Sequence, residues 1–118
     1  MSKCQVLYYS TLKGETPFGD FLDSLSPKQQ AKIIRVLKTI EAYGLSTAIP
    51  HLKKITGTPF WEVRILGKDN IRAIYITLSS QSILILHGFL KKQNKTPKKE
   101  LQLAQTRLQD WQNRQIDK

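Results

Sequence analysis

Two arginines on either side of a short turn are the first residues whose spacing suggests chemistry. Arg64 belongs to the alternating run Phe60-Trp-Glu-Val-Arg-Ile-Leu, and Arg72 follows the turn-forming sequence Gly67-Lys-Asp-Asn. If the two segments pair as an antiparallel hairpin, Arg64 and Arg72 lie close together across the ladder. Two guanidinium groups repel each other unless an anion joins them, and a phosphate can accept hydrogen bonds from both. Ion pairing of Glu62 with one or both arginines on the sheet surface accounts for the same residues equally well.

A histidine and several lysines follow the last strand-like segment. His87 lies at its end, and Lys91, Lys92 and Lys95 lie between it and Thr96-Pro97, where a helix is predicted to begin. Nearby positive charge lowers the pKa of an imidazole and favours a neutral ring that accepts a proton. Cleavage of RNA by its own 2′-OH needs a proton acceptor, stabilisation of the phosphorane and a proton for the leaving 5′ oxygen. The alternative is structural, since a histidine at a strand end is more often half-buried than catalytic.

The positive charge of the chain is concentrated around these residues. The net charge is +10, and residues 70–99 include six basic side chains and no Asp or Glu. Such a field attracts polyanions, most often nucleic acid, although a solubilising surface is an equal alternative. Lys95, Lys98 and Lys99 are therefore candidates for contacts with RNA or the ribosome. Further basic residues lie on the predicted solvent face of the second helix: Lys28, Lys32, Arg35 and Lys38.

Other classes of chemistry find little support. The single cysteine, Cys4, excludes an internal disulfide framework, and the two histidines lack the spacing of a zinc-binding helix. The chain has no glycine-rich or phosphate-binding loop typical of nucleotide cofactors, so we expect neither a cofactor nor a metal. No apolar run approaches the ~20 residues of a membrane span, and the sequence predicts a cytoplasmic protein that does not bind membranes.

The elements that must position these residues alternate between strand and helix patterns. Cys4-Gln-Val-Leu-Tyr-Tyr predicts an opening strand, and Thr16-Pro17 and Ser26-Pro27 predict the starts of two successive helices, the second ending at Gly44. Three antiparallel strands and a helix that begins at Thr96-Pro97 follow. The order predicts a single α+β domain over residues 1–118: an N-terminal strand, a helical hairpin, a three-strand antiparallel meander and a C-terminal helix.

Apolar residues at regular spacing mark the faces that should be buried. The predicted helical stripes contain Phe18, Phe21, Leu22 and Leu25, then Ile33, Leu37, Ile40 and Tyr43, and finally Leu101, Ala104, Leu108 and Trp111. In the first strand of the meander, Trp61, Val63 and Ile65 share one face. Glu62 and Arg64 are predicted to lie on the other face, where the candidate chemistry is expected.

Four segments that contain the candidate residues form one recognisable pattern. They are Phe60-Trp-Glu-Val-Arg64, Arg72-Ala-Ile-Tyr75, His87-Gly-Phe-Leu-Lys-Lys-Gln-Asn-Lys-Thr-Pro97, and Glu100 with Ala104 and Arg107. This pattern resembles the signature of the RelE/ParE superfamily, in particular of HigB-type toxins and their phage-derived Gp49-like branch. The resemblance covers nearly the whole chain and implies a RelE-like fold and a toxin of a type II toxin–antitoxin pair.

The resemblance implies an mRNA interferase, which cuts mRNA in the ribosomal A site by attack of a 2′-OH, without a metal ion. It implies that Arg64 and Arg72 hold the scissile phosphate and that Lys91 and Lys92 match the basic residues after the last strand. The RelE branch itself has lysines on the Glu-x-Arg strand, where this chain has Phe60 and Glu62. His87 is then the candidate general base, with a lysine from 91–95 or assistance by the ribosome as alternatives. Lys91 or Lys92 is the candidate leaving-group acid or phosphate ligand.

The resemblance also implies partners and leaves two alternatives. The partners are a cognate antitoxin, usually a HigA-like protein with a helix-turn-helix domain, and the mRNA in the ribosomal A site. Toxins of the ParE type share the fold but inhibit DNA gyrase without cleaving RNA. A basic nucleic-acid-binding regulator of phage origin is the third hypothesis.

Overall fold

A mixed five-stranded sheet lies at the centre of the computed structural model, which describes residues 3–65, 67–68, 70–92 and 95–116. The strands are β1 (Gln5–Tyr8), β2 (Leu52–Lys54), β3 (Trp61–Ile65), β4 (Ile71–Ser79) and β5 (Ser82–Leu90). The helices are α1 (Pro17–Ser24), α2 (Pro27–Tyr43) and α3 (Lys98–Ile116), and a 3-10 helix spans Leu45–His51. Parts of the predicted hairpin turn and of the signature, namely Leu66, Asp69, Gln93 and Asn94, lie outside the described residues.

The sheet has the strand order β1-β5-β4-β3-β2. β3, β4 and β5 form the predicted antiparallel meander. β1 lies parallel to β5 at one edge, and β2 lies antiparallel to β3 at the other edge. The predicted α+β fold is therefore confirmed. β2 is an addition that the sequence analysis missed, because three residues are too few to produce a recognisable alternation.

The starts of the first two helices follow from their capping residues. Pro17 and Pro27 are the first residues of α1 and α2, as expected for a residue that lacks an amide proton and has a helical φ. Ser26 forms a capping box with Gln29, in which the Gln29 amide donates to Ser26 Oγ and the Ser26 amide donates to Gln29 Oε1. α2 ends at Tyr43, and the C-cap residue Gly44 has a φ of +94°, which favours glycine.

Helices cover both faces of the sheet. α1 and α2 pack on one face, which we call the α1/α2 face, and α3 packs on the other, the α3 face. Tyr43 was wrongly predicted as part of the buried stripe of α2, since it is 51% exposed. It lies at the margin of that stripe in the last turn of the helix, and Val36 fills the stripe instead.

A β-bulge decides which side chains at the end of β5 face α3. Ile74 pairs with His87 but Tyr75 pairs with Ile85, so Leu86 is an extra residue in β5. Under strict alternation His87 would share the α1/α2 face with Ile85. The bulge turns His87 to the α3 face, where its ring bonds to residues of α3.

The glycine after His87 faces the opposite way, toward α1. A Cβ at Gly88 would lie 2.3 Å from Cδ2 of Phe21 and 2.9 Å from Cδ1 of Phe18. These distances are too short for any side chain, so the two phenyl rings require glycine at this position. The bulge and the close packing together explain the His-Gly pair in physical terms.

α3 covers its face of the sheet with the predicted stripe: Ala104 is buried in this part of the core, and Leu101, Leu108 and Trp111 are partly buried and pack against it. Its far end is held by Tyr9, whose hydroxyl lies 2.6 Å from a carboxylate oxygen of Asp110. None of the helices in the described part of the chain is both long and apolar enough to cross a membrane.

Candidate nucleic-acid groove and catalytic site

A groove of about 360 Å³ opens between β2, β3 and the segment that joins β5 to α3. Four of its lining residues are lysines: Lys53, Lys54, Lys91 and Lys95. Its other polar lining residues are Glu62, Thr56 and Thr96, and Ile55 and Leu101 supply apolar surface. We call this feature the cationic groove. Its excess of positive charge makes it suited to the phosphates of a nucleic acid strand.

The two candidate arginines lie directly opposite each other beside this groove. Arg64 of β3 pairs with Arg72 of β4, which confirms the predicted hairpin register. Arg72 is 5% exposed, and its Nη1 donates to the carbonyl of Ile71. The buried Nε groups of both arginines have no hydrogen-bond partner among the described residues. Buried donors without partners are rare, and an anion between the two guanidinium groups would satisfy both.

Glu62 lies on the same face of β3 as Arg64 and is 1% exposed. Thr96 Oγ1 donates a hydrogen bond of 2.7 Å to its Oε2. Among the described residues no ion pair joins Glu62 to either arginine. Glu62 nevertheless interacts electrostatically with Arg72. Burial lowers the pKa of Arg72, and the negative charge of the Glu62 carboxylate partly opposes this effect. Glu62 is therefore a buried counter-charge rather than the surface ion-pair partner considered as the structural alternative.

Lys91 is the half-buried lysine of the groove. Burial lowers the pKa of its ammonium group; the Glu62 carboxylate opposes this effect, and the positive charges of Arg72, Lys53 and Arg64 lower the pKa further. Its backbone is fixed by a hydrogen bond of 2.9 Å from its amide to the carbonyl of Asn70. A lysine in this setting gives up its proton more readily than a lysine in water.

His87 is held on both sides by α3. It is 8% exposed, its Nδ1 lies 2.8 Å from Nη1 of Arg107, and its Nε2 lies 2.8 Å from Oε1 of Glu100. Burial lowers the pKa of the ring, and the hydrogen bond to Glu100 acts in the opposite direction. Because both ring nitrogens are already engaged, His87 has no free lone pair to accept a proton from a substrate in this arrangement.

The remaining predicted basic residues lie at the surface. Lys95 lines the groove, and Lys92, Lys98 and Lys99 are exposed. Lys98 and Lys99 belong to the first turn of α3, whose amide groups add to the positive potential. Arg64, Arg72, Lys91 and Lys95 are thus brought to one site, whereas Lys92, Lys98 and Lys99 extend its positive charge outward.

Sequence reasoning missed several members of this site. Lys53 and Lys54 lie on β2, which was not predicted. Their position shortly before the predicted hairpin could have indicated that they lie near it. The hydrogen bond from Thr96 to Glu62 joins residues 34 positions apart, and nothing in the local sequence around either residue indicates it. Glu100 and Arg107 were part of the recognised signature without an assigned role.

Comparison with known proteins identifies the family of the chain. A search of curated proteins finds no match to the chain. The sequence model of the family described as "Phage derived protein Gp49-like (DUF891)" matches residues 20–109. This segment extends from α1 into α3 and contains the groove, the arginine pair and the histidine with both of its partners. The chain therefore belongs to the Gp49-like family of phage-derived proteins, a RelE/HigB-like toxin family associated with toxin–antitoxin systems.

Proposed function

We propose that the protein is the toxin of a type II toxin–antitoxin pair and that it stops translation by cutting mRNA in the ribosomal A site. The observation that supports this proposal best is the pair of opposed arginines beside a groove lined by four lysines. The Nε of each arginine has no hydrogen-bond partner in the described part of the chain. This arrangement suits a scissile phosphate flanked by further phosphates of a single strand. The reaction is a metal-independent attack of the 2′-OH on that phosphate.

Arg64 and Arg72 hold the phosphate and stabilise the additional negative charge of the phosphorane. Planar guanidinium groups offer paired donors at fixed geometry, which an ammonium group does not. Removing one such donor from a preorganised site typically costs about 10²–10³-fold in rate. We therefore expect Arg72→Ala to abolish growth arrest and Arg72→Lys to restore little of it.

Proton transfer is assigned to the lysines of the groove. Lys91 is the preferred proton acceptor for the 2′-OH, because its pKa is lowered and because both nitrogens of His87 are occupied. The 2′ oxygen then bonds to phosphorus, the bond to the 5′ oxygen breaks, and a protonated groove lysine such as Lys53 donates a proton to that oxygen. Lys92 serves as a further phosphate ligand.

The wider basic surface and the partners complete the proposal. Lys95, Lys98 and Lys99 bind ribosomal RNA, together with the exposed basic side chains of α2, Lys28, Arg35 and Lys38. Binding of the protein to the ribosome then depends steeply on salt concentration. A cognate antitoxin with a helix-turn-helix domain, similar to HigA, neutralises the toxin in the cytoplasm.

The test is the integrity of an mRNA in a reconstituted translation reaction, mapped by primer extension with and without ribosomes. We expect cuts only with ribosomes, and none with Arg72→Ala. Cuts on naked RNA would retain the nuclease but remove the A-site mechanism. Intact mRNA, with growth arrest and a DNA-damage response in cells, would instead identify a gyrase inhibitor. Tight binding of nucleic acid without toxicity would identify a regulator.

A further inference from the structure

His87 and two residues of α3 form a polar network that the proposed reaction leaves unused. Nη1 of Arg107 lies 2.8 Å from Nδ1 of His87 and 2.9 Å from the carbonyl oxygen of Leu86. Nε2 of His87 lies 2.8 Å from Oε1 of Glu100.

 

Among the described residues, the side chains of Arg107, His87 and Glu100 bond only to one another and to the Leu86 carbonyl. A guanidinium group can only donate, so Nδ1 of His87 must be the acceptor in its bond with Arg107. The ring proton then resides on Nε2 and is donated to Glu100. The network thus holds His87 as one neutral tautomer, which burial of the ring also favours.

The same network is attached to the β-bulge. An extra residue in a strand leaves part of the ladder unpaired, and the carbonyl that Arg107 satisfies belongs to Leu86, the bulged residue. His87, the next residue, is fixed by Arg107 and Glu100 from the same helix. Arg107 and Glu100 therefore secure the bulge at two successive positions.

The bulge determines where Lys91 points. Successive residues of a strand face opposite sides, so without the extra residue Lys91 would be directed to the α1/α2 face, as Ile83 and Ile85 are. With the bulge, Phe89 packs on the α3 face and Lys91 lines the groove beside Glu62. The position of Lys91 in the cationic groove thus depends on the bulge at Leu86, five residues earlier in the chain.

We propose that Arg107 and Glu100 are positioning residues of the nuclease site, which hold the Leu86 bulge through its carbonyl and through His87 and so direct Lys91 into the cationic groove. This inference rests on the proposed function only for its effect on cleavage. The geometry of the bulge, the tautomer of His87 and the environment of Lys91 are properties of the protein without RNA.

The experiment compares Arg107→Ala with Arg114→Ala, a matched loss of an arginine from the far end of α3. Nitrogen-15 NMR of the imidazole reports the tautomer of His87, and NMR titration of the lysine side chains reports the pKa of Lys91. In the wild type and in Arg114→Ala we expect the Nε2–H tautomer and a lowered Lys91 pKa. In Arg107→Ala we expect mixed tautomers and a Lys91 pKa closer to its ordinary value.

Activity gives the second readout. We expect Arg107→Ala to reduce the cleavage rate about 100-fold, as a small misplacement of a reacting group does, while binding of an uncleavable 2′-deoxy oligonucleotide stays within about 3-fold. Unchanged His87 signals and an unchanged Lys91 pKa in Arg107→Ala would overturn the inference. If the wild type cleaves no RNA, the proposed function fails, and the two NMR measurements still decide the inference.

A second variant covers the case in which Arg107→Ala does not fold. Glu100→Gln keeps an oxygen that can accept from Nε2, so the tautomer of His87 should be preserved. Glu100→Leu removes that acceptor, so exchange between tautomers should appear. Identical His87 spectra in these two variants would contradict the role of Glu100.

Discussion

The hydroxyl of Thr96 donates a hydrogen bond of 2.7 Å to Oε2 of Glu62, which joins the segment before α3 to the buried wall of the groove on β3. Hydrogen bonds to a charged group contribute more than those between neutral groups. Glu62 is 1% exposed, so a lost donor at this point is not replaced freely by water. The contact therefore stabilises both the fold and the shape of the groove.

Replacing Thr96 by valine tests this contact, since the two side chains have similar shapes. We expect Thr96→Val to lower the free energy of unfolding by about 1.5–3 kcal/mol, as measured by urea denaturation. Thr39→Val is the control, because the Thr39 hydroxyl donates an exposed hydrogen bond to the carbonyl of Arg35 in its own helix. Equal stability of the two variants would show that Thr96 does not support Glu62.

Gly88 provides a prediction about packing. We expect Gly88→Ala to lower the free energy of unfolding by about 1–3 kcal/mol, because the new methyl group collides with Phe21 and Phe18. Gly19→Ala is the matched control: its nearest neighbour would be Thr16 Cγ2 at 3.4 Å, and alanine favours the helix by up to about 1 kcal/mol. In thermal denaturation the Tm should therefore fall for Gly88→Ala and rise for Gly19→Ala.

His87 provides a prediction about pH. Its pKa in the folded protein is lowered, chiefly by burial, from the ordinary value of about 6.5. The unfolded chain therefore binds a proton more readily than the folded chain, and stability falls as the pH decreases below about 6.5 toward the folded pKa.

The measurement is urea denaturation of the wild type and of His87→Gln at a series of pH values from about 7.5 to 5.5. The wild type should lose stability across this interval, and the variant should lose less because its side chain does not titrate. The same slope in both proteins would show that the imidazole takes up its proton as readily in the folded as in the unfolded chain.

Lys98 provides a prediction about the wider basic surface. Lys98→Ala should weaken binding to ribosomes modestly and reduce the slope of log K against log salt by about 0.7–0.9, as expected for one lost phosphate contact. Lys13→Ala removes an exposed lysine between β1 and α1 and should leave the slope unchanged. Sedimentation of each variant with ribosomes at several salt concentrations measures the affinity and its dependence on salt.

Much of this arrangement followed from local patterns in the sequence. The Arg64–Arg72 pairing required only an alternating run on each side of a short turn, and the starts of α1 and α2 required only a cap residue before proline. Each of these signals lies within a few residues of the structure that it determines. That is why composition and spacing were sufficient to predict them.

The parts that escaped prediction depend on contacts between distant segments. The bulge at Leu86 leaves no local signature in a run that is apolar on both faces, yet it decides the orientation of His87 and Lys91. The engagement of both His87 nitrogens depends on Glu100 and Arg107, which are 13 and 20 residues away. A histidine that looked available in sequence is therefore enclosed in the folded protein.

The most direct measurement uses an mRNA in which the nucleotide at the mapped cleavage site carries 2′-hydrogen instead of 2′-OH. In the ribosome-containing reaction, wild-type protein should cut the unmodified message and leave the modified message intact at that nucleotide, since attack by the 2′ oxygen is the proposed first step. The fragments of the unmodified message should end in a 2′,3′-cyclic phosphate or its 3′-phosphate hydrolysis product. Equal cutting of both messages, with 3′-OH ends, would contradict the account.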